Sequence, residues 1–237
     1  MIQTETVTVS GSPMEILYAA PAEPGRHPGI VVAHHRPGQD AFTVHVLERL
    51  AGLGYVAASP TLYHRRPKEE HTGKAREYMT DIEIIADLNA AASFLEARGD
   101  VRADALGILG HCMGGRIAFL GAAVDKRYKL AGVFYGGNIG VAWGDGPSPL
   151  DRAIGIGGPV YGFFGNDDTN PSPADVARID AELTRLDIPH VFHQYNGAGH
   201  AFQAFDREAA YRKDAAEDAW GKLSTYLDRE LKAKKTA

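Results

Sequence analysis

The 237-residue chain is 44% hydrophobic and 23% charged, a balance that supports one large buried core and excludes disordered and fibrous classes. Its formal charge of −5 offers no positive field to a phosphate backbone, so nucleic acid is excluded as an organising partner. Cys112 is the only cysteine, so no disulfide forms within the chain. The first residues lack the basic and apolar regions of a secretory signal, and no apolar run approaches the roughly 18 residues of a membrane span. A soluble cytoplasmic protein is expected, as a monomer or small homo-oligomer.

Residues 6–10 and 14–19 read as short extended runs joined by a tight connection at Gly11-Ser12-Pro13, a hairpin at a sheet edge. Six short apolar runs follow at 29–34, 55–59, 105–109, 131–135, 160–164 and 191–195. Their consecutive apolar residues predict strands buried on both faces, the condition of a parallel sheet covered by helices. Between them Ile85, Leu88, Ala92 and Leu95 share one helical face, and Val176, Ile179, Leu183 and Leu186 another. Thr80 and Glu83 stand at capping-box spacing, and Ser172 precedes Pro173 as an N-cap precedes a first-turn proline. A last helix carries Ala216, Trp220, Leu223, Leu227 and Leu231, with a charged tail at 232–235. This alternation predicts a doubly wound, mostly parallel α/β sheet with helices on both faces, as one domain over 1–237. Residues 138–158, rich in glycine and proline, form a long excursion at the level where such sheets bind ligands.

The chemistry concentrates at Gly110-His111-Cys112-Met113-Gly114-Gly115, between a strand pattern and the helical Ile117-Ala118-Phe119-Leu120. A turn from strand to helix that exposes a nucleophile is so tight that only glycine fits beside it, which is the nucleophile elbow of the α/β-hydrolase fold. It also sets the thiol at a helix N-terminus, where the dipole favours thiolate. A lone cysteine without such context reads as a small buried hydrophobe. The glycine spacing does not fit a dinucleotide loop.

On this fold an acid and then a histidine follow the nucleophile in chain order. His200 lies in a glycine-bearing loop after the last predicted strand, the expected place for the base. His190 and His193 are three apart on a strand and face opposite sides, against a metal pair. His27, His45, His64 and His71 read as surface residues. After the run at 160–164, Asp167 and Asp168 both stand where the acid belongs, and residue physics leaves the two open. The fold places oxyanion-hole N–H groups at Met113 and at the loop carrying Arg36.

These motifs resemble the dienelactone hydrolase (carboxymethylenebutenolidase) family over nearly the whole chain. Its G-x-C-x-G-G elbow is similar to Gly110 to Gly115, its G-x-x-D loop to Gly165 to Asp168, and its Y-x-x-A-G-H-x-F loop to Tyr195 to Phe202. Thr61-Leu62-Tyr63-His64-Arg65 resembles its D-L-Y-x-R segment. The resemblance implies an ester or lactone hydrolase with Cys112, His200 and Asp168 as triad, an acyl-thioester intermediate, a small-molecule substrate, and no metal or cofactor. Two departures stand out. Where relatives carry a glutamate against the resting thiol this chain has His35, and where well-studied relatives carry an arginine soon after the histidine it has Gln203, Ala204 and Phe205. A protonated His35 would favour the thiolate. His35, Arg36, Arg76 and Tyr135 are the candidate substrate contacts. The rival readings are a general carboxylesterase or thioesterase, and a receptor that keeps the pocket without the chemistry. A redox role for Cys112 lacks a partner cysteine.

Overall fold

The sheet begins at a two-residue turn, Ser10-Gly11, in which both residues take positive φ (51° and 80°). That mirror-image turn matches the twist of paired strands. In this computed structural model, which describes residues 1–71 and 75–233, it joins β1 (Gln3–Val9) to β2 (Ser12–Ala19) as an antiparallel pair at the sheet edge. The turn thus falls one residue earlier than the sequence suggests, with Ser12 and Pro13 already paired to Val9 and Thr8.

The six apolar runs all form strands: β3 (His27–Ala33), β4 (Val56–Pro60), β5 (Val101–His111), β6 (Tyr128–Phe134), β7 (Val160–Gly165) and β8 (His190–Tyr195). The sheet order is β1-β2-β4-β3-β5-β6-β7-β8, parallel from β4 onward. β5 is longer than its apolar run because its start, Arg102 to Asp104, is polar and hides the strand from an apolar reading. Successive strand residues point to opposite faces. Val31, Ala33, Ile108, Val133 and Phe164 therefore enter one core, and Ile30, Val32, Leu109, Phe134 and Phe163 the other.

Helices α2 (Asp81–Ala97), α3 (Met113–Val124) and α4 (Pro173–Arg185) cover the first face. Both predicted N-termini are capping boxes, at Thr80–Glu83 and Ser172–Asp175. On α2 it is Ile84, one position from the expected Ile85, that is fully buried with Leu88, Ala92 and Leu95. On α4 Val176, Ile179 and Leu183 are buried, each worth about 1.5–3 kcal/mol, while Leu186 is only partly covered.

The opposite face is covered by α1 (Ala41–Gly52) and α5 (Lys213–Leu227). α1 is absent from the sequence reading, although Phe42, Val46, Leu47 and Leu50 have helical spacing. Asp40 caps it, accepting from the N–H groups of Phe42 and Thr43 at 3.1 Å. After α5 a π turn, Asp228–Lys232, buries Leu231. Residues 234–235 of the charged tail lie outside the described residues. Among the described residues no helix is long and apolar enough to cross a membrane.

The excursion at 138–158 is tied down by a buried ion pair. Arg116 of α3 holds both oxygens of Asp81, at 2.7 and 3.0 Å, with the two side chains 0% and 2% exposed. Arg116 also donates to the carbonyls of Asn138 (3.2 Å) and Val141 (2.6 Å). Asp81 accepts from the Trp143 N–H at 3.0 Å, and its own N–H donates to the Trp143 carbonyl at 2.8 Å.

Candidate active site

The strand-to-helix turn at the end of β5 puts Cys112 at φ 56° and ψ −122°, a strained conformation for a side-chain-bearing residue. Its neighbours explain the glycines. A Cβ on Gly110 would lie 2.1 Å from the Gly114 carbonyl oxygen, and one on Gly114 would lie 2.0 Å from that of Ala33. The chain can make this turn only without those side chains, and the turn delivers the half-buried thiol to the N-terminus of α3.

The loop after β8 brings His200 to the thiol, and the loop after β7 brings Asp168 to His200. Nδ1 of His200 lies 2.8 Å from Asp168 Oδ2, which leaves Nε2 for the sulfur. Asp168 is buried and its other oxygen accepts the Asn170 N–H at 2.9 Å, whereas Asp167 is exposed. The structure therefore brings Cys112, His200 and Asp168 together and leaves Asp167 outside.

Burial pushes the Cys112 thiol up, but the hydrogen bond and charge of His200 and the backbone N–H groups of Met113 and Arg36 outweigh it and hold the thiol below its ordinary value. Burial pulls His200 down, yet hydrogen bonds to Asp168 and Cys112, with their charges, carry it up to about 10. Both shifts favour the thiolate–imidazolium charge state.

The amides of Met113 and Arg36 thus converge on the sulfur. The Arg36 peptide is fixed from behind: the Tyr63 hydroxyl donates to its carbonyl at 2.8 Å and touches Met113 Sδ at 3.4 Å. His34 bridges the same two segments, with Nδ1 2.8 Å from the His35 carbonyl and Nε2 accepting the Leu62 N–H at 3.1 Å. Neither Tyr63 nor His34 is singled out as a site residue by sequence alone.

His35 is turned toward α1. Its Nε2 lies 2.8 Å from Asp40 Oδ2, at ion-pair distance though off the line of a good hydrogen bond, and its ring packs on Phe42. His35 is not among the groups that set the thiol's charge, which are His200 and two amides. His64, read as a surface residue, is buried: its Nε2 lies 3.0 Å from Asp87, and Arg65 reaches the same carboxylate at 2.8 Å. The buried Asp87 of α2 requires such partners, so this polar run turns inward. His190 and His193 do face opposite sides, toward Asp180 of α4 and Tyr226 of α5.

Two chambers meet at Cys112 and Arg36. One, about 450 Å³, is walled by Phe42, Tyr135, Ala201 and Ala204. Tyr135 is buried at φ 38° with its ring edge-on to His200 at 5.2 Å. The exposed Arg207, two residues beyond Phe205, lines this chamber too. The other, about 350 Å³, is lined by Asn138, Trp143, Thr169 and Asn170 with His200 and Asp168, and by Arg76, whose guanidinium lies 4.0 Å above the Trp143 ring. Among the described residues no cluster of His, Cys, Asp or Glu is arranged to hold a metal ion.

This sheet order, with its elbow, histidine loop and acid loop at the C-terminal ends of parallel strands, is that of an α/β-hydrolase. The profile of the Dienelactone hydrolase family matches residues 14–231. The chain belongs to that family and is a hydrolase of its type. A Synechocystis protein named "Putative carboxymethylenebutenolidase" is 32% identical, with 98% of each chain covered. A Bradyrhizobium protein named "Probable 2-oxo-3-(5-oxofuran-2-ylidene)propanoate lactonase" is 32% identical over 92% of this chain and 90% of its own. The crystal structure of a Klebsiella pneumoniae protein named "Putative Dienelactone Hydrolase" superposes with a TM-score of 0.88 at 28% identity, covering 97% of this chain and 98% of the other.

Proposed function

We propose that the protein hydrolyses a carboxylic ester or lactone by nucleophilic catalysis, with Cys112 as nucleophile, His200 as acid and base, and Asp168 as its orienting carboxylate. The observation that carries this reading is the Cys112–His200–Asp168 line, with the thiol held low and the imidazole raised to about 10. The thiolate attacks the carbonyl carbon, and the oxygen that gains charge is met by the N–H groups of Met113 and Arg36. When the tetrahedral species collapses, the carbon–oxygen bond to the leaving group breaks and that oxygen takes the proton from His200. A thioester remains on Cys112. His200, now neutral, accepts a proton from water as the water oxygen attacks the thioester. The carbon–sulfur bond breaks, the acid departs, and the thiolate–imidazolium pair is restored.

The lactone named for the Bradyrhizobium relative supports lactones within the substrate class. Among the sequence candidates, Arg36, Arg76 and Tyr135 line the chambers as substrate contacts, and His35 lines the apolar one through a ring held by Asp40. Intact-mass spectrometry during turnover of an activated aryl ester tests the reading. An adduct of the acyl mass on wild type, absent together with turnover from Cys112→Ala, is expected. Full activity in Cys112→Ala overturns it.

A further inference from the structure

Nucleophile and base reach each other from distant strands. Cys112 follows β5 and His200 follows β8, with β6 and β7 between them in the sheet. Residues 196–212, which carry His200, are turns with neither helix nor strand, and Ala201 beside it takes a positive φ of 61° that its surroundings must hold. Asp168 meets Nδ1 from the loop after β7 and so directs the ring, but the distance from ring to sulfur needs an anchor on the strand of the elbow. A displacement of about 1 Å at such a site costs on the order of 100-fold in rate.

That strand grips the loop just beyond the base. Gln203 Oε1 lies 2.8 Å from Nε2 of His111, the residue before Cys112, and Gln203 Nε2 donates to the Ala216 carbonyl of α5 at 3.4 Å. A carbonyl only accepts, so the amide nitrogen belongs on the α5 side, the amide oxygen on the His111 side, and His111 Nε2 carries the proton between them. His111 cannot follow a wandering loop: it is 3% exposed, stacked on Phe134 and edge-on to Phe42. The Gln203 backbone N–H also faces the hydroxyl of Tyr135, whose ring lies edge-on to His200 at 5.2 Å. The ends of β5 and β6 thus hold residue 203 from one side and α5 holds it from the other.

We propose that Gln203, fastened by His111, is a positioning residue that sets the reach of His200 to the Cys112 sulfur. This rests on the ester-hydrolase reading above and adds the part that fixes its reacting distance. In sequence Gln203 marks only a missing arginine; in the fold its amide spans strand and helix.

A double-mutant cycle of His111→Phe and Gln203→Leu tests it, with two readouts: turnover of an activated aryl ester, and the rate of Cys112 alkylation by iodoacetamide against pH. Phe keeps the ring stack and Leu keeps most of the volume. Each single variant is expected to lose roughly 10- to 100-fold in kcat with KM within a few-fold. The double variant loses no more than the worse single, because both remove one bond. The hydrogen bond and charge of His200 hold the thiol low, so a loop that drifts away lets it rise. The alkylation midpoint therefore moves up by roughly one pH unit in each variant, about ten-fold slower alkylation below it. Loss of folded protein alone lowers the amplitude and leaves the midpoint in place. Gln203→Asn, whose amide is too short to span His111 and Ala216, carries the same expectations if the Leu variant folds poorly. Additive losses in the cycle, or a wild-type midpoint in the variants, overturn the positioning role and leave the hydrolase reading standing. Full activity in Cys112→Ala overturns that reading instead, and the alkylation profile, which needs no substrate, still decides whether Gln203 holds His200 to the sulfur.

Discussion

Acid should weaken this fold through two histidines that sit behind the site. His111, next to Cys112, stacks on Phe134 at 4.4 Å, meets Phe42 edge-on at 5.0 Å and bonds Gln203 Oε1 through Nε2 at 2.8 Å. Burial lowers it to about 3, and burial lowers His34 to about 4. In the unfolded chain both return to 6.5. Below pH 6.5 the unfolded state therefore binds protons that the native state refuses, and stability falls as pH falls. The slope is about 1.4 kcal/mol per pH unit for each residue until the folded value is reached. Two units below 6.5 each histidine has removed about 2.5 kcal/mol and the pair about 5, comparable to the whole stability of a modest domain. Urea unfolding of wild type and His111→Phe across this range isolates one of them. The variant keeps the ring stack, loses the Gln203 bond worth about 1 kcal/mol, and is the less stable protein at pH 7. Its stability declines less steeply in acid, by about 1.4 kcal/mol per unit, so the two curves cross about one unit below 6.5. Parallel curves would refute the argument that His111 is held neutral by burial.

Asp168→Asn should lower kcat by about four orders of magnitude through a wrongly oriented imidazole, while the exposed Asp167→Asn stays within a few-fold; equal losses in steady-state assays count against the assignment. The pH profile of kcat/KM on a neutral ester should rise as pH climbs through the lowered thiol value of Cys112, because the thiolate attacks, and fall as His200 loses its proton at about 10. A falling limb at 6.5, the ordinary histidine value, would show that the ion pair does not form.

Much of the site is local and therefore visible in one dimension. The elbow needs glycines within two or three residues of Cys112, and His200 follows its strand directly, so both announce themselves by spacing. The acid does not, since a one-residue shift of a loop decides between Asp167 and Asp168; the G-x-x-D resemblance pointed to Asp168, and it is Asp168 that reaches His200. Residues whose meaning depends on distant partners are harder. His64 sits in the polar run Tyr63-His64-Arg65-Arg66 and looks solvated, yet it is buried against Asp87 on a helix 23 residues away. His35 precedes Arg36, whose amide reaches the thiol, but Asp40, the cap of α1, draws its ring aside. The two chambers arise from the segments after β3, β4, β5, β6, β7 and β8 together, and only the assembled sheet shows them.

The pair Arg116–Asp81 limits how this enzyme can be recut. Long surface loops ordinarily tolerate insertion, deletion and exchange. Here the first part of the excursion, Asn138 to Trp143, is threaded through a guanidinium and a carboxylate that have no water to turn to. A graft that replaces this stretch with a loop presenting fewer carbonyls, or that removes either charge, leaves an uncompensated ion in the interior, a loss of about 3–5 kcal/mol. The stretch beyond Trp143 carries the positive-φ Gly144 and Gly146 and lies outside those anchors. Over its exposed residues 144–147 a loop can be exchanged while the helix behind Cys112 stays in register.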